Sequence, residues 1–330
     1  MTEAIMSQLC LYYIPEPETD RWIKGDRFLR PMVRRIIRGK QKPGGINKVF
    51  INLCKGLDLL NVSYTVNLPF YKLKSTDQVG ILGRGKTCLH GYNNKNSIVA
   101  GIGLMTHPSE WPDLCEQYPV VKYLQHSEWA NNIYKPYFGN RCELWPVGID
   151  TQYWKPKNNP IFYDVLIYNK IMWNYADTEE SLLKPIRSYL TKAGLKYTEI
   201  RYGNYSSEVY RQVIHQSKSL IFLCEHESQG IAYNEALSTG IPILAWDQGW
   251  CLDPNRLKWG QPDIPATSVP FFDERCGMKF KNLYEFSVKF NDFWEKVKLA
   301  SFAPRDYILE NLTLEKCAKR YIDIINEVNL

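Results

Sequence analysis

Short apolar runs alternate with amphipathic stretches along nearly the whole 330-residue chain, without an internal repeat or a low-complexity tract. In the first half, strands are predicted at residues 8–14 (QLCLYYI), 63–68 (SYTVNL), 97–105 (SIVAGIGLM) and 120–126 (VVKYLQH). A well-patterned helix is predicted from Ile46 to Leu60, behind the turn Pro43-Gly44-Gly45. The stretch WPVGIDTQYWKPKNNP, starting at Trp145 and ending at Pro160, has no period and is rich in Pro, Gly and Asn, so it reads as a linker.

After it the alternation restarts. Strands are predicted at 164–168, 197–202, 219–223 and 242–246, with helices at 178–193, 206–217 and 230–239 between them. Ser206 and Ser207 are capping candidates, and Gly240 closes the helix that ends at Thr239. Two more helices, 281–299 and 314–328, complete the chain. Alternation of this kind predicts an α/β protein with parallel sheets. The expected architecture is two Rossmann-like, doubly wound domains, residues 1–150 and 151–312, with a terminal segment 313–330 packing back toward the first. Two such sheets face one another across a cleft, and a ligand belongs between their carboxyl edges.

Composition adds bounds. With 45% apolar and 23% charged residues, a packed core is expected. No window approaches the roughly 18 apolar residues of a spanning helix, and the N-terminus lacks the layout of a secretion signal, so a cytoplasmic location is expected. Nine scattered cysteines with no C-x-x-C spacing imply reduced thiols rather than a disulfide framework or a zinc knuckle. The net charge of +6 is concentrated: residues 21–48 carry ten Lys or Arg against the single acid Asp26. Arg27, Arg30, Arg34, Arg35 and Arg38 interleave with apolar residues at helical spacing. Three readings stay open for this segment: a solvated flank, a patch for anionic lipid or a charged acceptor, or nucleic-acid binding. The last is the least favoured, the solvated flank the most, and the second would allow peripheral contact with a membrane or a charged acceptor.

The segment carrying most chemistry is FLCEHESQGIAYNEALSTGIPILAWDQG, residues 222–249. It reads strand, acidic loop, helix, glycine stop, strand. Glu227 stands on the loop and Glu235 inside the helix, so both carboxylates can face one crevice at different depths. Carboxylates accept paired hydrogen bonds from vicinal hydroxyls, which sugars and riboses both offer. The amides near Gly230 and Ile231 open a helix, where a diphosphate is favourably held. On spacing alone, the competing reading is two solvent-facing glutamates on an amphipathic helix.

This segment resembles the donor-site signature of retaining GT-B glycosyltransferases, particularly glycosyltransferase family 4: a Glu, seven residues and a second Glu in strand–loop–helix, then Gly240-Ile241-Pro242-Ile243. Pro43-Gly44-Gly45-Ile46 resembles that family's N-terminal glycine loop, and WPVGIDTQYWKP its interdomain segment. His107 follows an apolar strand as the family's donor-proximal histidine does. Residues 201–223 resemble the strand–turn–helix–strand before the glutamates, and the closing stretch resembles the terminal helices. The likeness spans nearly the whole chain and is thinnest before residue 43.

The resemblance implies a metal-independent enzyme that moves a sugar, with retention, from a nucleotide-diphosphate donor to a glycan, lipid-linked or protein acceptor. Glu235 would bind the ribose and Glu227 the transferred sugar. Lys170, after the strand DVLIY, would neutralise the leaving diphosphate together with the Gly44 and Gly45 amides, and Tyr205 would line the base pocket. The family's second cation is replaced by Tyr175, so a substitute such as Arg201 or Arg84 is needed or the site is weaker. Ser228 and Gln229 stand where the family prefers Gly and an aromatic. No D-x-D, the spacing by which another glycosyltransferase architecture holds a divalent ion, occurs in the chain. Two rivals stand beside this reading. One is a catalytically silent nucleotide-sugar-binding module of the same fold. The other is a P-loop NTPase, since GILGRGKT (Gly80 to Thr87) fits G-x-x-x-x-G-K-S/T. The NTPase is disfavoured because no strand is predicted before that loop and Gly91 and three asparagines oppose a helix after it.

Overall fold

The computed structural model describes residues 7–14, 45–83 and 85–328. Gly44, Arg84 and all but the last few residues of the basic 21–48 segment lie outside the described residues. Two parallel sheets organise the chain. The first comprises β1 (Leu9–Ile14), β2 (Tyr64–Val66), β3 (Gln78–Gly83), β4 (Ile98–Ala100), β5 (Val120–Gln125) and β6 (Cys142–Leu144), in the order β2-β1-β3-β4-β5-β6. The second comprises β7 (Tyr163–Lys170), β8 (Tyr197–Arg201), β9 (Ser217–Cys224), β10 (Ile243–Trp246) and β11 (Gly277–Phe280), in the order β11-β10-β9-β7-β8. Both are doubly wound, so the α/β expectation holds. Strand order reverses between β1 and β3 and again between β7 and β9, and in open α/β sheets the ligand crevice opens beyond the carboxyl ends at such points.

The helices that cover the sheets are α1 (Gly45–Leu59), α2 (Glu128–Phe138), α3 (Lys184–Lys192), α4 (Ser207–Ile214), α5 (Ile231–Ser238), α6 (Leu283–Lys298), α7 (Pro304–Asn311) and α8 (Leu314–Glu327). Because strand side chains alternate between faces, each sheet feeds two cores. Cys10 and Tyr12 of β1 join one, Leu9 and Leu11 the other. In the second sheet Leu166 and Tyr168 face one layer, Val165 and Ile167 its opposite. Ser206 caps α4, its hydroxyl accepting from the Val209 N–H at 3.1 Å.

Several elements depart from the sequence expectation. The strand expected at 97–105 shortens to β4, where the chain turns at Gly101. The strands β3, β6 and β11 were not predicted, and neither were α2, whose Asn131, Asn132 and Pro136 weaken a helical pattern, or α7. The β3 strand also corrects the argument about the phosphate-loop motif: a buried parallel strand is present, but Gly80 and Gly83 lie inside it. Lys86 then starts a single 3-10 turn, Lys86–Leu89, with its ammonium 5.5 Å from the centre of the Trp111 ring. No phosphate cradle forms from glycines paired into a sheet.

The expected linker carries no regular element beyond a bridge from Ile149 to Thr313, and its first part is buried, with Trp145, Val147, Ile149 and Trp154 all core residues, while residues 155–160 are exposed. Beyond α7 the chain returns to the first sheet. Ala318, Tyr321, Ile324 and Ile325 of α8 pack with Val49, Leu53 and Leu57 of α1, and the Trp145 indole donates to the Cys317 carbonyl at 2.9 Å. Gly56 permits this approach, since a side chain there would meet the Leu314 carbonyl. Among the described residues no helix is long and apolar enough to cross a membrane. All nine cysteines are free thiols.

Candidate active site

The switch point of the second sheet gathers the candidate chemistry. Lys170 is the last residue of β7, and the loop Glu225-His226-Glu227 leaves the adjacent end of β9. The Lys170 ammonium forms an ion pair with the Glu227 carboxylate, both side chains being mostly buried. Burial alone would pull this lysine's pKa down, but the Glu227 charge and hydrogen bond overcome that and raise it, so the ammonium stays charged. The Tyr202 ring lies 4.6 Å beneath it.

Glu235, one turn into α5, is 3% exposed, and its partner comes from the other domain: Lys48 of α1 pairs with it across the cleft. The Lys48 ammonium also sits 5.7 Å from the Trp154 ring. Burial pushes the Glu235 carboxyl up to about 7, against the opposing pull of Lys48 and of the Trp154 indole. Solvent-facing glutamates do not describe this pair.

The loop between them is fixed from both domains. The Trp129 indole of α2 donates to the Glu227 carbonyl at 2.8 Å, and the Glu227 N–H donates to the Thr267 carbonyl at 3.0 Å. Gln229, in the position that departs from the family pattern, is buried and spans the backbone of Val147: it accepts from the Val147 N–H at 3.0 Å and donates to its carbonyl at 3.4 Å. Gly230 follows with φ +69°, and a Cβ there would fall 1.9 Å from Tyr233 Cε1, so only glycine fits between the loop and α5. Ile231 begins the helix, and its N-terminal amides open toward this loop.

The other expected residues occupy varied surroundings. Tyr205 is half-buried with its hydroxyl 2.5 Å from that of Tyr168, and burial raises its pKa to about 12. Arg201 ends β8 with its guanidinium 3.9 Å from the Tyr175 ring centre, so this cation and the residue replacing the family's second cation are neighbours. Gly45 is exposed at the first position of α1, one turn ahead of Lys48. His107 is fully buried and takes a different setting. Its ring stacks on Trp259 at 4.5 Å, meets Tyr137 edge-on, and its Nδ1 lies 2.7 Å from Ser109 Oγ. Burial lowers its pKa, with the Gln261 side chain and Glu110 opposing.

Sequence reasoning passed over three residues. Lys48 was counted only as part of a basic run. Trp129 lay in a helix that was not predicted. Glu225, fully buried, accepts from the Met172 N–H at 2.9 Å and the Trp173 N–H at 3.0 Å, tying the β7 loop to the β9 loop and holding Lys170 beside Glu227. Burial raises its carboxyl pKa against those two amide bonds. A second acid two residues before Glu227 was the available signal.

Comparison with solved structures identifies the architecture. TarM superposes with a TM-score of 0.53 at 10% identity, over 84% of this chain and 58% of TarM. The apo form of the lipopolysaccharide outer core galactosyltransferase WaaB gives 0.51 at 11% identity, over 97% of this chain and 99% of WaaB. The N-terminal domain of Candida albicans trehalose-6-phosphate phosphatase gives 0.52 at 10% identity, over 98% of both. The chain spans under two thirds of the length of TarM and of the GtfA/B complex chain, 58% and 60%. No protein-family model and no curated protein sequence matches it. The shared property is the fold, and this chain has the GT-B architecture of two parallel-sheet domains facing across a cleft.

Proposed function

We propose that the protein is a retaining, metal-independent glycosyltransferase that uses a nucleotide-diphosphate sugar. The observation carrying this reading is the pair of buried carboxylates, Glu227 and Glu235, at the switch point of the second sheet, each matched to a lysine. WaaB, of the same fold, is a galactosyltransferase, and a Staphylococcus aureus TarM variant has been crystallised with UDP, which supports the donor class.

Cleavage of the bond from the anomeric carbon to the diphosphate oxygen leaves positive charge on the sugar and negative charge on the diphosphate. Preorganised donors around that diphosphate lower the barrier. Lys170 supplies the cation, and the amides at Gly230, Ile231 and Gly45 supply helix N-termini. The Lys170 ammonium takes the role a divalent ion would otherwise fill. Glu235 receives the ribose hydroxyls, so Lys48 must yield or share that carboxylate. Glu227 orients the transferred sugar. The departing phosphate oxygen takes the proton of the acceptor hydroxyl, whose oxygen bonds to the anomeric carbon on the face the diphosphate leaves, and configuration is retained.

The test is a panel of UDP-, GDP- and ADP-sugars scored first by thermal shift, since a ligand of the native state raises the melting temperature. Release of nucleotide diphosphate with and without acceptor, and NMR of the product's anomeric proton, follow. Turnover that persists in EDTA with retained configuration is expected; inversion, or loss of all activity in EDTA, overturns the corresponding part. Binding without turnover would mark a silent module. Nucleotide binding lost in Lys86→Ala yet untouched in Glu235→Ala would refute the whole assignment.

A further inference from the structure

The connection from β10 to β11, residues 247–276, carries only the helical turn Asn255–Lys258 and is otherwise irregular, and long irregular stretches of more than about 12–15 residues tend to be functional. It crosses to the first domain. Cys251, Ile264 and Ala266 pack against Trp129 and Ile133 of α2, and Trp259 stacks on His107. Between this strap and the first turns of α2 lies a cavity of about 660 Å³, within the range of small-ligand sites. Its walls include Trp129 and Thr267, the two residues that hold the backbone of Glu227 from either side. The cavity therefore abuts the residue assigned to the transferred sugar.

Its chemistry is selective. Trp129, Ile133, Pro262 and Pro265 offer flat apolar faces, and an aromatic face is electronegative, suited to the polarised C–H bonds of a sugar ring. Glu128, Asp263, Asn132 and Gln261 add carboxylates and amides that accept from hydroxyl groups. Among the described residues no Lys or Arg lines the cavity; Lys135 donates to Asn132 Oδ1 but is not part of the wall. Two carboxylates without a cation repel an anion. Ser127 also lines the cavity, is 4% exposed, and its hydroxyl has no hydrogen-bond partner, a deficit that a ligand hydroxyl would remove.

Resting on the transferase reading above, we infer that this cavity is the acceptor subsite and that it takes a neutral, hydroxyl-rich saccharide rather than a phosphorylated or otherwise anionic acceptor. A glycan array of uncharged oligosaccharides, their phosphorylated and sulfated counterparts and control peptides, probed with labelled protein in the absence of donor, reads the cavity independently of turnover. Neutral saccharides are expected to bind. Asn132→Trp, which fills the space, and Asp263→Lys, which reverses its charge, each should weaken that binding tenfold or more while the thermal shift by nucleotide sugar changes less than twofold. Both replaced side chains are exposed; as a second handle, Ser127→Ala should weaken saccharide binding several-fold while leaving the melting temperature equal or higher. Preference for anionic glycans or peptides, binding that survives all three substitutions, or no saccharide binding at all overturns the inference. Saccharide binding as described with no turnover of any nucleotide sugar would instead sink the transferase reading and leave the cavity's chemistry standing.

Discussion

Replacing Glu235 by Gln should stabilise the ligand-free protein at neutral and alkaline pH while weakening its hold on the donor, the stability gap opening between about pH 4.5 and 7 and the donor effect titrating near pH 7. Burial moves this carboxyl from its ordinary 4.5 to about 7, even with Lys48 beside it. The folded state thus binds the proton more tightly than the unfolded chain. The stability this group contributes is fullest below about pH 4.5, is lost as the pH rises toward 7, and is flat beyond. At about 1.4 kcal/mol per pH unit, the cost at pH 8 is about 3 kcal/mol. Glutamine carries no such cost, and Lys48, about one third exposed, keeps its hydration when its partner is gone. Glu235→Gln should therefore match the parent at pH 4.5 and exceed it by about 2–3 kcal/mol at pH 8, a gain in stability against function of the kind expected where a site holds an unfavourable charge. Urea unfolding of both proteins at half-unit steps from pH 4.5 to 8.5 reads the difference directly. In parallel, donor affinity of the parent should fall as the pH drops below 7, because only the carboxylate accepts from both ribose hydroxyls, and in the variant it should be weak and level. A stability gap that stays constant across the range, or a parent whose donor affinity ignores pH, would refute the reasoning.

Lys170→Met removes the cation that the proposed mechanism sets against the leaving diphosphate and leaves Glu227 without its ion-pair partner. Turnover should fall by about 10² or more, judged against oxyanion-stabilising donors elsewhere, with Lys170→Arg recovering part of it in steady-state assays. Gly230→Val forces a branched residue into a left-handed conformation against the Tyr233 ring. A loss of about 3 kcal/mol or more in urea unfolding is expected, and an unchanged midpoint would contradict the geometry. Gln229→Leu strands the buried N–H and carbonyl of Val147. It should cost about 2 kcal/mol and lower kcat/KM, since Glu227 sits two residues along the same loop; a fall in stability with unaltered kinetics would show that this clamp does not position the loop.

How much of this was legible in the sequence depended on whether the decisive contact was local. The parallel strands β1 and β9 carry apolar runs of five or more residues, β7 carries the four-residue run Val165–Tyr168, and β5 is mostly apolar, so all four could be read directly. The strand β3 could not, because QVGILG has two glycines where strand propensity is weakest and overlaps a phosphate-loop pattern. The helix α2 was hidden by Asn131, Asn132 and Pro136, yet its Trp129 and Ile133 pack against the second domain. Burial of Tyr134 and Phe138 in the core of the first domain, rather than intrinsic helix preference, accounts for it.

The same division governs the site. The spacing of Glu227 and Glu235 is a property of one strand–loop–helix and was visible as such, whereas their electrostatic partners are not neighbours in sequence. Lys170 arrives by strand pairing between β7 and β9, and Lys48 arrives from the other domain entirely. Gln229 makes the point most sharply. Against the family pattern it counted as a defect in the phosphate-binding loop, but its amide is saturated by Val147 in the buried segment that joins the domains. The loop carrying Glu227 is thereby tied to the interdomain connection, and Trp129 ties it again to α2. Gln229 and Trp129 thus fix the Glu227 loop to the interdomain segment and to the first domain, which is a structural use for the residue that departs from the pattern.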